Sequence, residues 1–82
     1  MEVEIITEPA KLHTVSAELR DLAREEGVLT PYQRRVFELR EFHGCSWGQI
    51  AYMTDRHQAT VRGHYAAAVR RIHHELERRN AA

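Results

Sequence analysis

Apolar residues recur at three- and four-residue steps along most of the chain, the spacing of amphipathic helices rather than strands. Leu12, Val15, Leu19 and Leu22 make the first stripe, starting near Glu8. Pro9 suits its first turn, and Gly27 suits its end. Ahead of it, EVEII at residues 2–6 alternates and fits an extended arm or a short edge strand. A second helix opens at TPYQ: Thr30 caps it, Pro31 takes the first helical position, and Gln33 completes a capping box. Val36, Leu39 or Arg40, and His43 share a face there, with Phe37 beside them. The helix is expected to stop at His43-Gly44, where glycine supplies a left-handed end. Ser46, with Gln49 three residues on, caps a short third helix that turns Trp47, Ile50, Ala51 and Met53 inward. Thr54-Asp55-Arg56-His57 reads as a turn. The last helix runs from about Gln58 to Arg79, with Val61, Tyr65, Ala68, Val69, Ile72 and Leu76 inward.

The pattern predicts an all-α fold, a small bundle of about four helices with a C-terminal helix-turn-helix. Residues 1–28 form an arm and an acidic amphipathic helix, 29–79 the helix-turn-helix domain, and 80–82 a frayed tail. A length of 82 residues suits one small domain with a modest core. Cys45 is the only cysteine, which excludes an internal disulfide and leads us to expect a cytoplasmic setting. MEVEIITEPAK has neither a basic start nor an apolar run, so no signal peptide is expected. No apolar run approaches membrane-spanning length.

Charge changes the picture. The formal net charge is zero, yet residues 1–29 carry seven acids against three bases, and residues 30–82 carry nine arginines against five acids. The split suggests two surfaces with different partners. Arginine suits forked contacts with phosphate and guanine, although it is also a good helix former on any solvated face. Six histidines raise the question of a metal, but no two ligand doublets stand at zinc-finger spacing, and His73 and His74 point different ways on a helix. No catalytic constellation appears, and Cys45 reads as a small core residue. Neither a cofactor, a metal nor an enzymatic activity is expected.

A helix-turn-helix needs a small residue in its first helix, a tight turn, and an apolar anchor in its second. Ala51, Asp55 and Val61 stand at that spacing. The blocks around them resemble region 4 of sigma-70-type sigma factors, the module that reads the promoter −35 element. Leu29, Thr30, Gln33, Arg34, Val36, Phe37, Leu39 and Arg40 match the family's opening. Gly44, Ser46, Trp47, Gln49, Ile50 and Ala51 match its middle; Thr60, Val61, Arg62, His64, Ala68, Arg71 and Ile72 match its close. The resemblance covers about residues 29–76. LuxR-type domains are similar but one residue shorter between the Val and the Gly. Small phage activators with a stand-alone sigma-like domain are similar too.

The resemblance implies a sequence-specific, double-stranded-DNA-binding transcriptional regulator that lays its last helix in the major groove. The residues expected at DNA are Arg34, Arg35, Ser46, Trp47, Arg56, His57, Gln58, Ala59, Thr60, Arg62, Gly63, His64 and Arg70. Arg62 would read guanine and Gln58 adenine, Gly63 would let the backbone approach, and Ser46 with Trp47 would grip a phosphate. Thr60 and His64 would contact phosphates or support the fold. Arg34 and Arg35 would flank the duplex, and Arg70 and Arg71 would reach the backbone or a polymerase. The acidic segment 8–26 offers a surface to RNA polymerase or another transcription protein, and its stripe leaves room for a homodimer. The departure lies at the turn, where relatives carry Leu-Gly-Ile-Ser and this chain carries Thr54-Asp55-Arg56-His57. Asp tolerates the left-handed conformation, whereas His57 in place of Ser should weaken the helix cap by roughly 1 kcal/mol. With Ala66 and Ala67 where relatives often carry Arg, the alternative is a protein-interaction module that binds RNA polymerase, an anti-sigma-type partner or itself.

Overall fold

The computed structural model describes residues 16–81, and these form four helices and no strand. They are α1 (Ala17–Arg24), α2 (Pro31–Glu41), α3 (Trp47–Thr54) and α4 (Gln58–Ala81). The expected arm at 2–6, and Leu12 and Val15 of the first stripe, lie outside the described residues.

Helix α1 differs from expectation at both ends. Ser16 is extended (φ −73°, ψ 168°) and its Oγ accepts from the Leu19 N–H at 3.4 Å, so the helix starts there and does not run unbroken from Glu8. At the other end Glu25 is already extended, its N–H donating to Leu22 O at 3.0 Å. Gly27, with φ +89°, serves the turn toward α2 rather than the helix stop. In α2 the expected box forms in both directions: Gln33 N–H to Thr30 Oγ1 at 3.2 Å, and Thr30 N–H to Gln33 Oε1 at 3.1 Å. The helix ends at Glu41, leaving His43 exposed in the loop, and Gly44 takes the left-handed conformation at φ +66°.

Helix α3 carries the same reciprocal box on Ser46 and Gln49, at 3.1 and 2.7 Å. Thr54 is its last residue, not part of the turn, and its hydroxyl donates to Ile50 O at 2.7 Å. Asp55 then supplies a left-handed position (φ 55°, ψ 47°), as expected for this turn. Its N–H reaches Tyr52 O at 3.3 Å, and the Arg56 N–H reaches Ala51 O at 3.0 Å, the paired bonds of a Schellman end. Met53 is 47 % exposed, against expectation. At about 100° per residue it falls outside the stripe of Trp47, Ile50, Ala51 and Thr54, so only that stripe faces α2 and α4. Helix α4 continues through Asn80 and Ala81, past the expected end at Arg79; Ala82 lies outside the described residues.

Two clusters make the core. Leu19, Leu22, Ala23, Leu29, Phe37, Ala68 and Ile72 join α1 and α2 to the middle of α4. Val36, Ile50 and Val61, all fully buried, lock α3 against α2 and the start of α4. Tyr65 packs against both clusters; its ring stacks on Phe37 at 5.9 Å, and its hydroxyl donates to the buried Glu41 carboxylate. The Glu41 carbonyl accepts from Arg20 Nη2 at 3.3 Å, tying α1 to the end of α2. A half-buried Cys45 packs on the Val36–Ile50–Val61 cluster, as a small core residue would.

The two oppositely charged halves meet at one edge. Arg79 forks onto Glu25, Nη2 to Oε1 at 2.7 Å and Nη1 to Oε2 at 3.1 Å. Arg78 and Arg79 also bond Glu75, holding its carboxyl down at about 2, below the ordinary 4.5. Glu25, Arg78 and Arg79 are exposed and Glu75 is half-buried, so solvent and salt screen the pairs.

Candidate nucleic-acid interface

The start of α4 carries the largest group of the residues expected at DNA. Val61 anchors it inward and is fully buried, while Gln58, Ala59, Thr60, Arg62 and Gly63 are exposed around it. Arg70, two turns beyond Gly63, shares its outward side and is exposed as well. Ala59, Gly63 and Ala66 make the middle of that side small, so a backbone or base edge can come close to the helix axis. Nothing lies within 4 Å of where a Gly63 methyl would sit.

Side chains of neighbouring elements hold several of these residues. Arg56 lies with its Cζ 4.6 Å from the Tyr32 ring centroid. His64 meets the same ring edge-on at 4.5 Å, and the Tyr32 hydroxyl donates to Thr54 Oγ1 at 3.4 Å. His64 is thereby packed against α2. The Gln58 amide sits over Gly48, where an added methyl would be 3.4 Å from its Nε2. Exposed His57 stands at the N-cap place of α4, its carbonyl accepting from the Val61 N–H at 3.0 Å.

Ser46 spends its N–H and one lone pair on the box with Gln49, which leaves the Trp47 and Gly48 amides at the open end of α3. Arg34 and Arg35 are not gathered with these groups. They line a cleft of about 540 Å³ with Glu26, Gly27 and Leu29 of the α1–α2 turn, and Arg34 Nη2 donates to Glu25 O at 3.4 Å. Arg71 is similarly committed, its Nε donating to Val28 O at 3.1 Å.

Two residues that sequence reasoning left out of the site are Tyr32 and Arg40. Arg40 lies 4.1 Å over the Trp47 ring and donates through Nη1 to Cys45 O at 3.1 Å. Both stand in or beside the motif that opens α2, but which way they face depends on packing that no spacing rule encodes. Among the described residues no three His, Cys, Asp or Glu side chains converge as metal ligands would, and no helix is long and apolar enough to cross a membrane.

A comparison with protein-family models matches residues 19–72 to Sigma-70, region 4. No curated protein matches the chain, and no solved structure does. The match starts at Leu19, inside α1, and ends at Ile72 in α4, so it spans both core clusters and the whole helix-turn-helix. With a buried Ile50–Val61 lock, a left-handed Asp55 at the turn and that match in register, the chain belongs to the sigma-70 region 4 family of transcription-related, DNA-binding helix-turn-helix domains.

Proposed function

We propose that this chain is a sequence-specific transcriptional regulator that lays the N-terminal half of α4 in the major groove of double-stranded DNA. One observation carries the reading. Between Asp55 and Glu75 the chain has no acidic residue and four arginines: Arg56 in the turn, and Arg62, Arg70 and Arg71 on the helix that follows it, the one the family uses to read DNA. Such a stretch suits a polyanion even though the whole chain is neutral. Arg62 makes the forked contact with guanine O6 and N7, and Gln58 the two-point contact with adenine. Ala59 and Gly63 admit the base edges. Arg56, Thr60 and Arg70 reach phosphates, as do the Trp47 and Gly48 amides at the start of α3. His57, at the cap of α4, lies beside the same phosphate track. This role places the protein in the cytoplasm and involves no catalytic step.

A second reading has its own support. Tyr52 is 89 % exposed beside half-exposed Met53 on the outer side of α3, a pair better suited to a protein than to DNA. RNA polymerase, an anti-sigma-type partner or a second copy would fit such a contact, and a regulator of this family can use both surfaces at once.

Salt separates the two. With Arg56 and Arg70 each neutralising a phosphate, log affinity for duplex DNA falls against log salt with a slope of about −2. A slope near zero would leave only the protein-contact reading.

A further inference from the structure

The indole of Trp47 carries two cations. Arg40 approaches it from α2, Cζ 4.1 Å from the ring centroid, and is fixed by its bond to Cys45 O. Arg62 approaches from α4, at 5.5 Å. Tyr65 meets the same ring edge-on at 5.2 Å, so the indole is packed among three helices. Arg62 itself is exposed. An unsupported arginine on a helix surface samples many rotamers, and ordering it on a base costs that freedom at the moment of binding. A guanidinium within about 6 Å of an indole face is attracted to it, which narrows those choices beforehand. Arg40 holds the closer seat, 4.1 Å from the centroid against 5.5 Å for Arg62.

We propose that Trp47 is a positioning residue for Arg62: with Arg40 on one side, the indole pre-sets the direction of the Arg62 guanidinium and thereby sharpens discrimination at the one base pair Arg62 reads. The expected direct grip of Trp47 on a phosphate is replaced, for its side chain, by this indirect role. The inference rests on α4 being the DNA-reading helix. Its signature is confined to one base pair, because the remaining contacts do not pass through the indole.

The test uses the full chain and duplexes that differ by single base pairs from a site selected by the wild type. Trp47→Leu keeps apolar bulk but removes the ring face, and Trp47→Phe restores a face. Discrimination at the Arg62 base pair falls roughly threefold to tenfold in Trp47→Leu. It recovers in large part in Trp47→Phe and stays unchanged at the other positions. In an Arg62→Ala background, Trp47→Leu produces no further loss of discrimination. Equal loss of affinity on all duplexes, with discrimination intact, would overturn the proposal and leave the DNA reading standing. A wild type that selects no site overturns both. Should Trp47→Leu fail to fold, the wild type decides alone: ring current shifts the Arg62 Hδ and Hε resonances upfield, and their appearance at random-coil positions refutes the stack.

Discussion

Among the described helices, α4 is the one whose N-cap position lacks a Ser or Thr, and replacing His57 with Ser should stabilise the domain. Three other helix starts show what is missing. Ser16 accepts from the Leu19 N–H at 3.4 Å, Thr30 from Gln33 at 3.2 Å and Ser46 from Gln49 at 3.1 Å. At α4 the carbonyl of His57 already accepts from the Val61 N–H, so the residue sits at the cap position, and the Thr60 N–H is the donor a hydroxyl there would take. A Ser cap contributes about 1 kcal/mol relative to a residue that makes no cap bond. Removing an exposed imidazole costs up to about 0.5 kcal/mol. The net gain is then roughly 0.5–1 kcal/mol, a Tm rise of about 3–6 °C for a domain of this size. Thermal unfolding followed by far-UV circular dichroism reads it, with Ser46→Ala as the opposite control, expected to lower Tm by a similar amount. A Tm that is unchanged or lowered in His57→Ser, while Ser46→Ala falls as expected, would mean that the imidazole already satisfies the start of α4 and that the cap argument is wrong.

Gly63→Ala should separate stability from binding. Open space around the added methyl and the mid-helix position make it stabilising by about 0.5–1 kcal/mol, while DNA affinity drops because the methyl holds the base edges away; denaturation and duplex titration of the same sample check both. Ile50→Ala removes a fully buried side chain from the α3–α4 lock and should cost about 2–5 kcal/mol, read as a fall in the urea midpoint at unchanged slope. Acid should loosen the end of α4. Arg78 and Arg79 hold the Glu75 carboxyl at about 2 against an ordinary 4.5, and Arg79 lowers that of Glu25. Both folded values lie below the unfolded ones, so the contribution is complete above 4.5 and is lost as pH falls toward about 2. Glu75→Gln should flatten Tm against pH in that window, and added salt should shrink the effect in the unmodified chain.

Most of this architecture was legible in the residues because local chemistry and packing agree. The Thr30-Pro31-Gln33 and Ser46-Gln49 signals mark helix starts without reference to the rest of the chain, and Ala51, Asp55 and Val61 define the turn by spacing alone. A left-handed conformation at Asp55 is implied by the resemblance, which puts Gly there, and Asp tolerates it. Misreadings arose where two local signals competed. Pro9 and the Leu12–Leu22 stripe suggested a long first helix, yet Ser16 interrupts it with a cap of its own. Met53 looked inward by hydrophobicity, but an eight-residue helix buries only the stripe between its two neighbours. At the candidate site, the proposal that α4 is the reading helix rests on the motif. The anchoring of Arg34 and Arg71 to backbone carbonyls, and of Arg40 and Arg62 to one indole, depends on tertiary contacts across 7 to 43 residues of sequence, beyond the reach of periodicity.

Selection of bound sequences from a random duplex pool, run in parallel on the full chain and on Arg62→Ala, tests the central claim most directly. The account predicts that the wild type enriches a motif of about four to six base pairs containing a guanine, and that Arg62→Ala loses preference at that guanine, about 1–3 kcal/mol of discrimination, while keeping the remainder of the motif. A pool from which the wild type enriches nothing, or a motif that Arg62→Ala reproduces in full, would contradict it.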